Sequence, residues 1–221
     1  MNEIRHNNFS AVAVLVGVNA LFYFLQMMEQ SHSMTIWLAL WPMLPEQTYV
    51  AAGQTLPEFL PWQIVSYGFL HGGLSHLFFN MFGLWMFGRE VEQWWGKARF
   101  LQFYFICLVG AGAVQLVVAT IAAQQGSYYP TVGASGAVFG VLMAFAWMFP
   151  NRKIMLLIPP IPLKAKWFVL IYGGIELFLG VTGTQAGVAH FAHIGGLVFG
   201  LLTILYWRGF FPLKPKYIMK W

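Results

Sequence analysis

The sequence predicts an all-α polytopic membrane protein with six transmembrane helices, of which the fourth is short and partly submerged. Three observations lead to this prediction. Apolar residues make up 59% of the 221 residues, and charged residues only 9%. Several apolar stretches approach the length of about 20 residues that a helix needs to cross a bilayer. The twelve lysine and arginine residues are confined to alternate connections between these stretches.

We expect a single membrane domain over 1–221. Its six spans have the approximate bounds 10–28, 73–87, 98–123, 135–149, 167–181 and 188–207. The fourth span ends at Pro150 and contains 15 residues. As a helix it is about 22 Å long, against a hydrocarbon core of about 30 Å. If this helix is anchored at its charged end, 151–153, then Ser135 lies below the opposite surface, at the mouth of a polar cavity.

The placement of basic residues indicates the orientation in the membrane. They occur in the N-terminal segment, the second and fourth connections and the C-terminal tail, whereas the other connections contain none. The positive-inside rule then places both termini in the cytoplasm. The net charge of +5 reflects this orientation and contacts with lipid headgroups, so we expect no nucleic-acid partner. The single Cys107 has no partner within the chain, which excludes a disulfide framework and a cysteine metal site.

The first connection, 29–72, is long and aromatic. It contains Trp37, Trp41 and Trp62 together with four prolines and few charges. Such a segment is expected to lie in the outer membrane interface, because tryptophan is enriched there. A plain linker is the alternative that the sequence leaves open.

Small residues predict close contact between the fourth and sixth spans. Each span has a Gly-x-x-x-Gly face, which permits close approach of two backbones. The two faces are Gly136 with Gly140 and Gly196 with Gly200. Ser135 precedes one face by one residue, and His193 precedes the other by three. We therefore expect the side chains of Ser135 and His193 to meet.

A serine that meets a histidine suggests nucleophilic catalysis. A serine hydroxyl is a weak nucleophile unless a nearby base takes its proton, and histidine is the usual base near neutral pH. The chain contains no aspartate. Glu176 in the fifth span is ionisable, but nothing in its spacing recommends it as a third member, and a structural role is the safer expectation. We therefore predict a Ser135–His193 dyad, with Phe139 packed against the imidazole from one helical turn away.

His76 and Asn80 lie four residues apart on one face of the second span. Alone, this pair fits helix packing and a functional role equally well. Acyl transfer needs donors for the developing oxyanion, so we predict an oxyanion hole from both side chains and the backbone N–H of Ser135 at its helix start. Deacylation needs water, and three polar residues are expected to line a hydrated outer cavity: His71, Ser75 and His190.

Together these elements resemble the rhomboid family of intramembrane serine proteases. The resemblance rests on Ser-His-Leu-Phe-Phe-Asn at 75–80, Gly-Ala-Ser-Gly at 133–136 and Ala-His-Ile-Gly-Gly at 192–196, in the family's order. It covers essentially the whole chain and implies the six-helix bundle of the bacterial form. By resemblance, Ser135 is the nucleophile, His193 the general base, and His76 and Asn80 the oxyanion donors. Four residues are expected to support the site: Gly133, Gly136, Phe139 and Gly196. No metal or cofactor is expected.

The chain departs from the family pattern at two positions. Phe139 stands where a tyrosine is often found, which keeps ring stacking but removes a hydroxyl. Gln63 follows Trp62 where an arginine is common, and we expect this change to loosen the first loop. Neither departure removes a catalytic group.

The resemblance implies hydrolysis of peptide bonds within transmembrane segments of other membrane proteins, after a small residue near the outer face. The fifth span and the loop 182–187 are expected to form the gate for substrate. The compact form indicates a bacterial plasma membrane, with the site opening outward. Two alternatives remain: a non-catalytic rhomboid-like protein for membrane-segment binding or quality control, and a small transporter, which would need paired ionisable groups. The substrate and the oligomeric state stay open.

Overall fold

The computed structural model describes residues 10–44, 56–156, 159–183 and 189–219, and most of them are helical. The α-helices are α1 Ala11–Met28, α2 Ser33–Leu38, α3 Gln63–Ser66, α4 Leu74–Gly83, α5 Arg89–Trp95, α6 Lys97–Gln124, α7 Ser135–Met148, α8 Ala165–Thr182 and α9 His190–Trp207. A 3₁₀ turn, Tyr67–Phe69, follows α3, and a π-helical turn, Leu84–Gly88, joins α4 to α5. Two short strands, β1 Lys153–Met155 and β2 Pro162–Lys164, lie between α7 and α8.

Four of the described helices are long and apolar enough to cross a membrane: α1, α6, α8 and α9. Helix α7 is also apolar but has only 14 residues, about 21 Å at 1.5 Å per residue. Helix α4, the π-helical turn and α5 follow one another without interruption from Leu74 to Trp95, so this helical stretch ends well beyond the predicted bound at 87. The chain is a helical integral membrane protein.

Among the described residues, the connection between α7 and α8 contains a short pair of strands in a mostly helical fold. Strands β1 and β2 form an antiparallel pair in which Ile154 lies opposite Leu163. Proline at positions 159, 160 and 162 cannot continue a helix, because proline lacks the backbone N–H and clashes with the preceding turn. The chain between α7 and α8 therefore turns back through a hairpin.

Helix α7 lies at the centre of the bundle, where it packs mainly against α9 and α6. A Cβ built on Gly196 would overlap the carbonyl oxygen of Gly136, and a Cβ on Gly200 would lie 3.1 Å from the backbone of Gly140. The backbones of α7 and α9 are therefore in direct contact along the two predicted glycine faces. This contact brings the first turns of the two helices together.

Charged residues connect several elements at the end of the bundle away from the start of α7. Glu90 and Arg152 form an exposed ion pair of 2.8 Å between the end of the second helical stretch and the end of α7. Arg152 also lies over the ring of Phe149, 4.8 Å from its centroid. Nearby, the buried Glu92 contacts the start of α1. The start of α1 and the end of α7 thus lie at the same end of the bundle.

Glu92 caps the N-terminus of α1. Its carboxylate accepts hydrogen bonds from the backbone N–H groups of Ala11 and Val12, at 2.7 and 3.0 Å, and from the hydroxyl of Ser10 at 2.5 Å. The first N–H groups of a helix have no partner within the helix, and the helix dipole favours a negative charge beside them. Glu92 therefore fixes α1 to α5.

Replacing Glu92 by glutamine is expected to lower the free energy of unfolding by about 1.5–3 kcal/mol, the range for hydrogen bonds to charged groups. The amide keeps the size of the side chain but removes the charge and one acceptor. Reversible unfolding of the purified protein in detergent measures the change. Glu90→Gln is the matched control, because an exposed ion pair contributes about 1 kcal/mol or less. Equal losses in the two variants would contradict the capping role.

Gln63, which we expect to hold the first loop less firmly than an arginine would, makes several contacts in the described part of that loop. Gln63 is fully buried. Its side-chain oxygen accepts hydrogen bonds from the backbone N–H groups of Trp41 and Leu60, and its amide nitrogen donates to the carbonyl oxygens of Trp37 and Glu58. A neutral amide can both donate and accept, so Gln63 joins the two arms of the loop.

Candidate active site

The side chains of Ser135 and His193 meet where α7 and α9 begin. The distance between Ser135 Oγ and His193 Nε2 is 2.8 Å, which is a hydrogen bond. Ser135 is the first residue of α7 and is half-buried, whereas His193 lies in the first turn of α9 and is 9% exposed. A hydroxyl and an imidazole at this distance can exchange a proton.

The loop before α7 holds Ser135 in place through backbone contacts. Thr131 and Leu40 exchange two backbone hydrogen bonds, of 2.9 and 3.0 Å, and the N–H of Gly133 donates to the carbonyl oxygen of Tyr67. Gly133 has a φ of +125°, which side-chain-bearing residues rarely adopt. A glycine at this position lets the chain turn sharply into the helix.

Phe139 lies one turn after Ser135 on α7, and its ring stacks on His193. The ring centroids are 4.3 Å apart and the planes differ by 9°. Stacking restricts rotation of the imidazole about its side-chain bonds. The ring plane is thereby held with Nε2 directed at the serine.

His76, in the first turn of α4, borders the same space as Ser135. Its Nδ1 accepts a hydrogen bond from the backbone N–H of Gly72 at 3.3 Å, so the neutral ring carries its proton on Nε2. A Cβ built on Gly133 would lie 2.8 Å from His76 Nε2 and 3.8 Å from Ser135 Oγ. The N–H of His76 Nε2 and the hydroxyl of Ser135 therefore both border the space next to the Cα atom of Gly133.

Asn80 is buried one turn further along α4. Its amide nitrogen donates to the carbonyl oxygen of His76 at 3.0 Å. One of the two N–H groups of the Asn80 amide thus donates within its own helix, and the second can donate to another acceptor. The backbone N–H of Ser135 belongs to the first turn of α7, where N–H groups have no partner within the helix.

The three residues expected to line a hydrated cavity differ in exposure. Ser75 is exposed, whereas His71 and His190 are buried, and the hydrated cavity stays a prediction. His71 lies in the loop before α4, with its ring 5.1 Å from that of His76. Burial, and to a smaller extent the charge of a protonated His76, lower the pKa of His71 to about 4, although the nearby backbone of Phe69 acts in the opposite direction. His71 is therefore neutral near neutral pH.

Glu176 is the residue that sequence reasoning missed. Its carboxylate oxygen Oε2 lies 2.6 Å from Nδ1 of His190 and 2.8 Å from Nδ1 of His193. The carboxylate and Ser135 therefore lie at opposite nitrogens of the same imidazole. The signal available in the sequence was that Glu176 is the one acidic residue within a predicted span, since an ionisable residue at membrane depth generally has a partner there.

The same three side chains form a group that could be considered for a metal ion, because their ligand atoms lie within 4.8 Å of one another. Their spacing argues against this use. Donor atoms bound to tetrahedral zinc at about 2.0–2.1 Å lie about 3.3 Å apart, whereas the carboxylate oxygen lies 2.6 and 2.8 Å from the two imidazole nitrogens. The arrangement fits shared protons better than a shared ion.

Fold and site together define a helical membrane protein with a serine–histidine pair between its central helices. Comparison with known families agrees with this class. The Rhomboid domain family model matches residues 59–210, and the chain belongs to the rhomboid family.

The curated relatives include bacterial and mitochondrial proteins. "Rhomboid protease GluP" of Bacillus subtilis is 34% identical over 143 residues, 64% of this chain and 25% of that protein. "Rhomboid protein 1, mitochondrial" of Saccharomyces cerevisiae is 31% identical over 139 residues, 63% of this chain and 40% of that protein. "Rhomboid protease GlpG" of Pectobacterium atrosepticum is 28% identical over 206 residues, 93% of this chain and 64% of that protein. The chain spans less than two thirds of the length of each of them.

Proposed function

We propose that the chain is an intramembrane serine endopeptidase that hydrolyses peptide bonds in or near transmembrane segments of other membrane proteins. The observation that carries this proposal is the 2.8 Å hydrogen bond between Ser135 Oγ and His193 Nε2. Two relatives are named as rhomboid proteases, which supports the same reaction class. No metal or cofactor is needed for it.

The positions of the side chains support the following reaction. Ser135 Oγ attacks the scissile carbonyl carbon while His193 Nε2 takes its proton. The negative charge on the carbonyl oxygen is stabilised by the N–H of His76 Nε2, the backbone N–H of Ser135 and the remaining N–H of Asn80. His193 then returns the proton to the leaving amine, and the peptide bond breaks. Water, deprotonated by the same histidine, hydrolyses the acyl-enzyme and restores the serine.

The proposed arrangement in the membrane is one domain over 1–221 with six spans. They are α1, the continuous stretch from α4 to α5, α6, α7, α8 and α9. Because α7 is shorter than the hydrocarbon core, Ser135 lies below the outer surface when the other end of α7 is at the inner one. Arg152 lies near that other end, which agrees with cytoplasmic termini and a site that opens outward. We assign the chain to a bacterial plasma membrane. The loop 182–187 proposed as part of the gate falls largely outside the described residues.

Cleavage of a single-span substrate tests the proposed function. The purified protein is reconstituted in liposomes with a substrate that carries a small residue and a helix-breaking residue near its outer end. We expect two fragments from the parent protein and none from Ser135→Ala. Uncut substrate that co-purifies with the parent protein would instead favour a non-catalytic protein that binds membrane segments.

Gly133→Ala is expected to lower kcat/KM for this cleavage by about 10²-fold, the cost of losing one oxyanion donor. The added methyl group would lie 2.8 Å from Nε2 of His76 and displace that ring. Gly126→Ala is the matched control, because Gly126 also has a positive φ of +92° but nothing within 4 Å of its Cβ position. A similar loss of activity in both variants would show that backbone strain, and not displacement of His76, is responsible.

A further inference from the structure

Glu176 contacts the side of the His193 ring that faces away from Ser135. The carboxylate comes from α8, whereas the serine comes from α7 and the histidine from α9. Its Oε2 atom lies 2.8 Å from Nδ1 of His193, while Nε2 of the same ring lies 2.8 Å from Ser135 Oγ. Three side chains from three helices are thus in a row, in the order carboxylate, imidazole and hydroxyl.

This order determines which nitrogen of His193 carries the proton. A neutral imidazole has one N–H, and the other nitrogen carries a lone pair. A carboxylate beside Nδ1 favours the proton there, because a lone pair facing a negative oxygen is repelled. The lone pair of Nε2 is then directed at Ser135 Oγ, as a general base requires. The opposite tautomer would present an N–H to the serine oxygen and could not take its proton.

The other groups around the ring cannot supply this effect. Ser135 and Phe139 face it from α7, and a T-shaped contact with His190 comes from α9 itself. His76 faces the site from α4. These groups are neutral or, when protonated, positive. Among the described residues in contact with His193, Glu176 is the one that carries a negative charge.

His190 holds the carboxylate in position. Its Nδ1 forms an aligned hydrogen bond of 2.6 Å with the same Oε2 atom. The contact of Oε2 with His193 has the length of an ion pair but lacks hydrogen-bond alignment. Catalytic hydrogen bonds are often poorly aligned before substrate binds and tighten in the complex.

The position of Glu176 on α8 adds a second argument. The buried residues of α8 are Ala165 and Val169, both near its start, whereas Glu176 lies toward the other end. The side chain of Glu176 is 13% exposed. A charged group in a membrane helix is costly unless it is paired, so its approach to two histidines indicates a specific role.

Given the proposed function, we propose that Glu176 is a positioning residue for the reaction and that the site is a Ser135–His193–Glu176 triad. Glu176 keeps the proton of His193 on Nδ1 and stabilises the imidazolium that forms when Nε2 takes the serine proton. It touches neither the substrate nor the reacting atoms.

Three substitutions at one position separate charge from shape. Glu176→Met has a similar length but no acceptor, Glu176→Gln keeps an acceptor without the charge, and Glu176→Asp keeps the charge on a shorter side chain. We expect kcat to fall by between about 10-fold and the roughly 10⁴-fold known for loss of the carboxylate in a soluble triad, with KM little changed. We expect kcat to be highest in Glu176→Asp, lower in Glu176→Gln and lowest in Glu176→Met. Val14→Met, on the exposed face of α1, is the control and is expected to retain the parent kcat.

The tautomer of His193 is measured directly by ¹⁵N NMR of histidine-labelled protein in liposomes, at the pH of maximal cleavage. The signals of His193 are assigned by their absence in His193→Asn. We expect a protonated Nδ1 in the parent protein and a substantial shift of the proton to Nε2 in Glu176→Met. This readout does not depend on turnover, so it also applies if the parent protein cleaves no substrate.

Three outcomes would overturn the triad. The first is a parent protein that cleaves substrate together with a Glu176→Met variant of unchanged kcat. The second is a His193 tautomer that is the same with and without the carboxylate. The third is a loss of activity that only follows the loss of thermal stability, with kcat of the Gln and Met variants above that of the Asp variant, because Glu176 then has a packing role alone. Failure of the parent protein to cleave, with the expected tautomer shift, would contradict the proposed function and leave the positioning of His193 standing.

Discussion

His193→Asn is expected to lower kcat for substrate cleavage by about 10³-fold or more, because the proposed general base and its imidazolium are lost together. Asparagine keeps a polar side chain but cannot take a proton near neutral pH. KM is expected to change little, since His193 contacts Ser135 and not the remote parts of a substrate helix. Steady-state cleavage kinetics in liposomes measure both constants.

His32→Asn is the matched control for this prediction. His32 is exposed and has a positive φ of 54°, a conformation that asparagine tolerates. It is expected to retain the parent kcat and thermal stability. A His193→Asn variant that retains a tenth or more of the parent kcat would contradict the assignment of His193 as the base.

Gly196→Ala is expected to destabilise the protein by more than about 3 kcal/mol, the upper end for overpacking a core. The added Cβ would overlap the carbonyl oxygen of Gly136, and a backbone atom cannot move aside as a flexible side chain can. Helices α7 and α9 would separate, and the distance from Ser135 to His193 would increase. Cleavage activity is therefore expected to fall with stability, and reversible unfolding in detergent measures the loss.

Gly17→Ala provides the comparison, because it adds the same methyl group to a helix at a position with nothing within 4 Å. Alanine has a higher helix propensity than glycine by about 1 kcal/mol, so this variant is expected to be as stable as the parent protein or slightly more stable. If Gly196→Ala were tolerated equally well, the direct backbone contact between α7 and α9 would be wrong.

Much of the fold follows from patterns that are local in the sequence. Apolar length alone placed the ends of α6 and α9 within two residues of their positions in the structure. The glycine faces predicted which helices touch, because only small residues allow two backbones to approach so closely. The meeting of Ser135 with His193 follows from that contact.

The features that sequence reasoning missed depend on tertiary placement. Glu176 reaches His193 only because the C-terminal half of α8 lies against the first turn of α9, and no spacing within either helix reveals this. Gln63 similarly binds backbone groups on both arms of a long loop, whereas its identity alone suggested weaker contacts. In the connection between α7 and α8, β1 pairs with β2. The prolines of this segment exclude a helix, but they do not by themselves predict that two strands will pair.

The most direct test of the central claim, that His193 activates Ser135 as a nucleophile, is covalent labelling with a fluorophosphonate. The serine oxygen would displace fluoride and form a bond to phosphorus, and mass spectrometry of the protein in detergent identifies the modified residue. We expect one adduct, at Ser135, in the parent protein, and almost none at the same reaction time in His193→Asn. An adduct at another residue, or equally fast labelling of Ser135 without His193, would contradict the account.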